Sequence, residues 1–135
     1  MLLQLVYASR PFGFDASTLT NILFDARRCN TRDGITGALI CRDDLFLQLL
    51  EGPEQAVEAA YARICADDRH VEVRKLVRRK IGDHERLFGA WAMRDDPAAS
   101  WVWSREEVDA GVPESSSEDE VLEMFRKLPG LDAPA

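Results

Sequence analysis

The stretch Leu45-Phe46-Leu47-Gln48-Leu49-Leu50 constrains this chain more than any other. Side chains alternate across a strand, so Leu45, Leu47 and Leu49 share one face and Phe46, Gln48 and Leu50 share the other. Both faces are apolar, which marks a strand covered on both sides. Helices on one side of such a strand leave its other face bare, so a second layer is required. Gln48 is the one polar side chain in the run. A buried amide group left unpaired costs about 1–3 kcal/mol, so the fold must supply Gln48 with partners.

The flanking sequence builds a frame around this strand. Gly34 to Gly52 reads as a hairpin with its tip at Arg42-Asp43-Asp44. Upstream, Leu2 to Ala8 forms a strand with Leu3, Leu5 and Tyr7 on one face, and Ser9 to Gly13 breaks it. Asp15 or Ser17 caps a helix running to about Asn30, with Leu19, Ile22, Leu23 and Ala26 as its apolar stripe. Asn30 lies about three turns beyond Leu19 on that same stripe, an unusual place for an amide. Downstream, Pro53 opens a helix from Glu54 to about Ala66, with Val57, Ala60, Tyr61 and Ile64 facing inward. Val71 to Ile81 reads as an edge strand guarded by Lys and Arg. Leu87 to Arg94 reads as a short last strand, with Trp91 and Met93 on one face.

The order β-α-β-β-α-β-β is the α+β, ferredoxin-like pattern with one extra strand, in a five-stranded mixed sheet. It is expected to set the first and third strands parallel and adjacent in the centre, with Tyr7 beside Gln48 under the two helices. After Asp96-Pro97 the pattern changes. Trp101-Val102-Trp103 lead into Ser104-Arg105-Glu106-Glu107, a capping box. Pro113 to Glu120 reads as an acidic linker, and Val121, Leu122, Phe125 and Leu128 form a helical stripe before Pro129-Gly130. The chain therefore divides into a domain at 1–96 and a helical extension at 97–135. The extension is expected on the second sheet face, supplied by the same chain or by a partner subunit.

With 24 acids against 17 Lys and Arg, the net charge is −7. That balance argues against general binding to nucleic acid or an anionic membrane, although Arg74 to Lys80 is locally basic. The 3 cysteines, Cys29, Cys41 and Cys65, have neither C-x-x-C nor zinc spacing. They read as small core side chains in a reducing compartment. The first residues lack the basic region of a signal peptide, and no apolar run reaches about 18 residues. A soluble, cytoplasmic single domain is expected.

Singly, the chemistry-bearing residues have ordinary readings. Tyr7 is a core tyrosine, Asn30 a helix C-cap and Gln48 an amide tied to backbone. Arg69-His70 compensates a helix end, and Trp91 and Met93 are core. Together, Tyr7, Asn30 and Gln48 converge where the helices cross the central strands, among Ile22, Ala26, Phe46 and Ile64. Apolar walls with a few convergent polar groups describe a ligand pocket. Two amides suit a flat heterocycle with alternating donors and acceptors, and the phenol adds an electron and proton donor. There is no nucleophile elbow, H-E-x-x-H, Walker loop or G-x-G-x-x-G. Glu51 is a lone carboxylate without an evident partner, read as part of the strand-to-helix turn. A non-enzyme is expected, and no metal site.

The sequence resembles the BLUF family of blue-light sensors using flavin. The matching pieces are Leu5-Val6-Tyr7-Ala8-Ser9, Ala26-Arg27-Arg28-Cys29-Asn30, Gly34-Ile35-Thr36-Gly37, Phe46 to Gly52, Asp67-Asp68-Arg69-His70 and Trp91-Ala92-Met93. They occur in the family's order over about residues 2–94. The resemblance implies FAD, with FMN as the alternative, clasped between the two helices. It implies that Tyr7 is the photoactive tyrosine, Gln48 the switching glutamine and Asn30 a partner of the ring edge. Asp67, Arg69 and His70 match positions near the ribityl and phosphate end, and Trp91 and Met93 the pair beside the glutamine. The implied mechanism moves an electron and then a proton from Tyr7 under blue light. Gln48 then rotates or tautomerises, and the absorption shifts to the red. Cys29 and Cys41 depart from common family residues.

Two other classes remain open on the residues alone. One is a flavin- or small-molecule-binding module without photoactivity, and the other a small ferredoxin-like enzyme. The expected partners are the flavin and a second copy of the chain or an unidentified downstream protein.

Overall fold

The computed structural model describes residues 2–11, 16–42, 44–67, 70–88, 94–97 and 102–128. The side chains of residues 11, 16–19, 70, 71 and 94–97 are not among those described. The elements are β1 (Leu2–Pro11), α1 (Ala16–Asp33), β2 (Thr36–Arg42), β3 (Leu45–Pro53), α2 (Glu54–Cys65), β4 (His70–Ile81), β5 (Arg94–Pro97), α3 (Arg105–Asp109), α4 (Val112–Ser115) and α5 (Glu118–Arg126). The fold is α+β. Strands β1 to β4 pair antiparallel throughout, and the short β5 joins parallel to β2. The order across the sheet is β4-β1-β3-β2-β5.

The first and third strands are neighbours, but antiparallel rather than parallel as the sequence reading had it. Chain direction explains the correction. The α1 crossover returns β2 in the direction of β1, and the tight β2–β3 hairpin then reverses the chain. A strand inserted between β1 and β2 must oppose both. The pairing still sets Tyr7 directly opposite Gln48.

The two sheet faces carry separate cores. Leu3, Leu5, Tyr7, Leu39, Phe46 and Leu50 pack under α1 and α2 against Ile22, Leu23, Val57 and Ala60. Val6, Ala8, Ala38, Ile40, Leu45, Leu47 and Leu49 face the opposite way, against Val102, Trp103, Val108, Val121, Leu122, Phe125 and Leu128. The tail of the same chain therefore covers the second face demanded by Leu45–Leu50. Each large apolar side chain buried there contributes about 1.5–3 kcal/mol. A bulge between the pairs Val6–Val77 and Tyr7–Lys75 shifts the alternation of β4. It sends Val77 to the tail side and Lys75 over the Tyr61 ring, 5.0 Å from its centroid.

Local signals account for the ends of these elements. Gly34 adopts φ 73°, a left-handed helix exit that glycine takes without a Cβ penalty. The Ile35 amide there donates to the Asn30 carbonyl at 2.9 Å. Ser104 and Glu107 form the expected capping box. The stretch read as an acidic linker is more ordered than that: it holds α4 and the Ser117–Glu120 capping box that starts α5. Pro53 stands at the N-cap of α2 rather than inside its first turn. The cap of α1 at residue 15 lies outside the described residues.

The last strand also differs from expectation. Residues 89–93 lie outside the described residues, β5 is described as Arg94–Pro97, and Leu87 and Phe88 are not in a strand. Their amides instead donate to the buried Glu51 carboxylate, so they are unavailable to a ladder. Cys65 is exposed and Cys29 and Cys41 are half-buried, none in a disulfide. The reading of all three as core side chains therefore fails for Cys65, the exposed last residue of α2, whose thiol bonds Tyr61 one turn back. Among the described residues no helix is long and apolar enough to cross a membrane.

Candidate functional site

A cavity of about 220 Å3 opens between α1, α2 and β3. Ile22, Ala26, Leu50, Ala60 and Ile64 give it apolar walls. Asn30 and Gln48, each 3% exposed, face it with their amides. Asp25, Arg28, Cys29, Arg63 and Asp67 complete its lining. Two buried amides beside apolar side chains, with charged residues completing the lining, give the cavity both hydrogen-bonding groups and apolar surface.

Each polar group is positioned by its element. Asn30 sits in the last turns of α1, on the buried stripe that the 3.6-residue period predicts. Gln48 is centred in β3, between Tyr7 of β1 and Leu39 of β2. Tyr7 is fully buried behind it, and its hydroxyl donates to Gln48 Oε1. An amide whose oxygen accepts from a phenol presents its NH2 group as a donor in other directions.

Electrostatics hold the phenol in its neutral form. Burial first, then the negative charge of Asp67 and the neighbouring Tyr61 and Cys65, push the Tyr7 pKa well above the ordinary phenol value. Tyr61 packs against it with ring centroids 5.8 Å apart, tilted by 53°. Its own pKa rises to about 12, chiefly through burial and then its hydrogen bond with Cys65.

The structure brings together Ile22, Ala26, Asn30, Gln48, Ile64 and Asp67 of the residues singled out in the sequence. Tyr7 is not in the cavity lining; its hydroxyl bonds Gln48, which is. Phe46 shares the buried cluster with Tyr7 and Leu50 but is not part of the cavity lining. Its ring fills the core one residue pair closer to the hairpin tip. His70 is the first residue of β4, with its backbone alone described. Arg69, Trp91 and Met93 lie outside the described residues. Asp25, Arg28, Cys29 and Arg63 were missed. Asp25, Cys29 and Arg63 follow Ile22, Ala26 and Ala60 by three positions each, so helix phase alone placed them at the edge of the site.

The model of the BLUF family, described as "Sensors of blue-light using FAD", matches residues 2–94. The chain belongs to the BLUF family. The match covers strands β1 to β4 and both cavity helices, and ends at the first residue of β5. Among curated BLUF relatives, the "Blue light- and temperature-regulated antirepressor BluF" of Escherichia coli (strain K12) is 35% identical over 78 residues, 57% of this chain and 19% of that protein. The "Photoactivated adenylate cyclase subunit beta" of Euglena gracilis is 42% identical over 66 residues, 49% of this chain and 8% of that protein. The chain thus spans less than a fifth of these two relatives.

Solved BLUF structures align more completely. "BlsA photo-activated state" has a TM-score of 0.78 at 25% identity, covering 99% of this chain and 97% of that one. "BlrB - a BLUF protein, dark state structure" has a TM-score of 0.72 at 28% identity, covering 93% and 92%. Klebsiella pneumoniae BlrP1 "with FMN and cyclic diGMP, no metal ions" has a TM-score of 0.69 at 26% identity, covering 96% and 36%. This BLUF chain is a blue-light flavin sensor, and the flavin named for its family is FAD. The cavity fits such a group: two buried amides stand on apolar walls, where a flat ring edge of alternating donors and acceptors can pair with them.

Proposed function

We propose that this chain senses blue light through a Tyr7–Gln48 switch at the α1–α2 cavity and signals through its C-terminal helices without catalysing turnover. The hydrogen bond from the Tyr7 hydroxyl to Gln48 Oε1 carries the reading. In it, Ile22, Ala26 and Ile64 would hold the ring of FAD, with FMN as the alternative, and Asn30 and Gln48 would bond its polar edge. Phe46 supports Tyr7 from behind. Asp67, Arg69 and His70 serve the ribityl and phosphate end, and Trp91 and Met93 lie beside Gln48. A bound flavin would supply the absorption of blue light and the acceptor for both the electron and the proton that Tyr7 gives up.

Tyr7 gives up one electron and then its hydroxyl proton, and regains both when the cycle closes. While the proton is away, Gln48 Oε1 loses its donor. The amide then rotates or tautomerises, because its two ends differ as donor and acceptor and a buried network must stay satisfied. The rearranged amide holds a second, metastable arrangement that reverts in the dark, a two-state element with a local trigger.

The finer architecture fits the same reading. The βαββαββ order with its central β1 and β3 supports a ferredoxin-like flavin domain at 1–96. The residues from 97 on, packed on the far face through Trp103, Val121 and Phe125, form the output extension. Its target is a second copy or a downstream protein, in the cytoplasm.

The test is to load the purified chain with FAD and record its absorption in the dark and after blue light. A reversible red shift that Tyr7→Phe abolishes is expected. A yellow protein with no shift points to a flavin-binding module without photoactivity, and a chain that takes up no flavin overturns the cavity assignment.

A further inference from the structure

A row of polar residues crosses the sheet on the tail side, in register. Gln4 of β1 lies opposite Glu51 of β3 on one side and Arg79 of β4 on the other. Thr36 of β2 lies opposite Glu51 in turn. Their strand neighbours Val6, Leu49, Val77 and Ala38 belong to the core under the tail. Polar residues at that depth need complete bonding, and Glu51 at 0% and Gln4 at 1% exposure are as buried as that core.

The bonding forms a chain. Arg79 Nε donates to Gln4 Oε1 at 2.8 Å, and Gln4 Nε2 donates to Glu51 Oε2 at 2.8 Å. Glu51 Oε1 accepts the amides of Leu87 and Phe88 at 2.8 and 3.0 Å. Arg86 Nη1 donates to the Glu51 carbonyl at 3.2 Å and to Thr36 Oγ1 at 3.0 Å. Burial pushes the Glu51 carboxyl up, while these amide bonds and the Arg86 charge pull it back toward the ionised form. At the far end, Arg79 Nη1 lies 3.7 Å from Asp119, and the Arg78 amide donates to Glu118 Oε2 at 3.3 Å. Both acids are in the first turn of α5.

The row touches every element that the proposed switch must move. Glu51 lies three residues beyond Gln48 on the same strand and on the opposite face, so the strand itself links the cavity side to the tail side. Leu87 and Phe88 immediately precede the segment holding Trp91 and Met93. Glu118 and Asp119 open the tail helix. We infer that Arg79, Gln4 and Glu51 form a cross-sheet relay that couples β3 to the 87–88 segment and to the start of α5, with Gln4 and Glu51 as positioning residues for the output. The inference rests on the Tyr7–Gln48 switch. It adds a route for it: a shift of β3 moves the carboxylate, and each bonded neighbour must follow or lose a buried hydrogen bond.

Donor and acceptor order makes the relay testable. In Glu51→Gln the new amide oxygen still accepts from Leu87 and Phe88, but its NH2 faces the Gln4 NH2. Gln4 must turn its oxygen toward position 51, which leaves its NH2 against the Arg79 guanidinium. The double exchange Gln4→Glu with Glu51→Gln restores the Arg79–4–51 order and the Leu87 and Phe88 bonds to Oε1; only the second, shared bond of the Leu87 amide to Oε2, 3.0 Å in the wild type, is not remade. The new amide at 51 donates to the new carboxylate at 4, which also accepts from Arg79.

The experiment measures amide hydrogen exchange of the full FAD-loaded chain in the dark and under blue light. It compares the wild type with Glu51→Gln, Arg79→Met and the double exchange. The expected wild-type result is a light–dark difference at Leu87, Phe88 and the first turns of α5. The α5 difference should be lost in both single variants and return in the double exchange, while the red shift persists in all. A wild type that shifts to the red with no light–dark difference in α5 overturns the relay. So do single variants that keep the full difference, or a double exchange that fails to restore it. If Glu51→Gln does not fold, Arg79→Met and the double exchange carry the comparison. A wild type with no red shift overturns the photochemical switch itself, an outcome read from the spectrum before any exchange data.

Discussion

Tyr7 and Gln48 face one another across the β1–β3 pair, and the Tyr7 hydroxyl donates to Gln48 Oε1. Register and hydrogen bond together set the phenol behind the amide and the amide against the cavity. Replacing Tyr7 by Phe removes the donor and leaves the pocket walls intact. Flavin uptake should be retained and the light-induced red shift lost, as read by difference absorption. Stability should fall by about 1 kcal/mol, because the Gln48 oxygen loses a partner while the ring still packs.

The Tyr7 pKa is raised well above the ordinary value of 10.0, which fixes the sign of an alkaline effect. In the folded chain the phenol holds its proton where the unfolded chain has lost it. Its contribution to stability is therefore complete below pH 10 and declines as pH rises from there toward the folded pKa. An alkaline titration followed by tyrosinate absorbance should show Tyr7 ionising only as the fold opens. Tyr7→Phe should flatten that part of the stability profile.

Gly37 carries the tightest steric limit in the β2–β3 hairpin. A Cβ built there lies 1.9 Å from the Leu49 carbonyl oxygen, a backbone atom that cannot step aside. Gly37→Ala should destabilise by about 3 kcal/mol and spoil flavin uptake, since Leu49 adjoins both Gln48 and Leu50. Gly82→Ala is the control. Its Cβ meets only the flexible Glu85 side chain, whose exposed bond from the Gly82 amide water can replace, so the melting temperature should fall far less than in Gly37→Ala.

The tail is held to the sheet by a core of its own. Phe125 is fully buried and meets Phe88 edge-on, centroids 6.3 Å apart at 80°. Phe125→Ala should cost about 3–5 kcal/mol in thermal or denaturant unfolding. Loss of the tail contact should also speed hydrogen exchange in the facing strands β1 and β3. An exchange pattern confined to α5 would mean that the tail docks without supporting the sheet.

The basic run Arg74 to Lys80 shows where charge patterning was legible and where it was not. Its edge position followed from Lys and Arg spacing, and β4 is the edge. Its partners did not follow. Arg74 pairs with Glu114, Arg78 with Glu58 and Lys80 with Glu54. Sequence separation hides such pairs, because only the docking of the tail and α2 brings the acids alongside.

Alternation and helical period in the sequence determined which residues face inward. Leu45–Leu50 demanded cover on both faces, and the Asn30 stripe and the Ser104 capping box could be read from spacing alone. These are local properties, repeated every two residues in a strand or every 3.6 in a helix. Tertiary structure decided what no local period encodes. Strand direction set β1 antiparallel to β3, because the hairpin reverses what the crossover helix returns. It also gave Glu51, an apparently lone carboxylate, the amides of Leu87 and Phe88 and the side chain of Gln4. Those partners are distant in sequence, and a buried charge is tolerated only where the fold delivers them together.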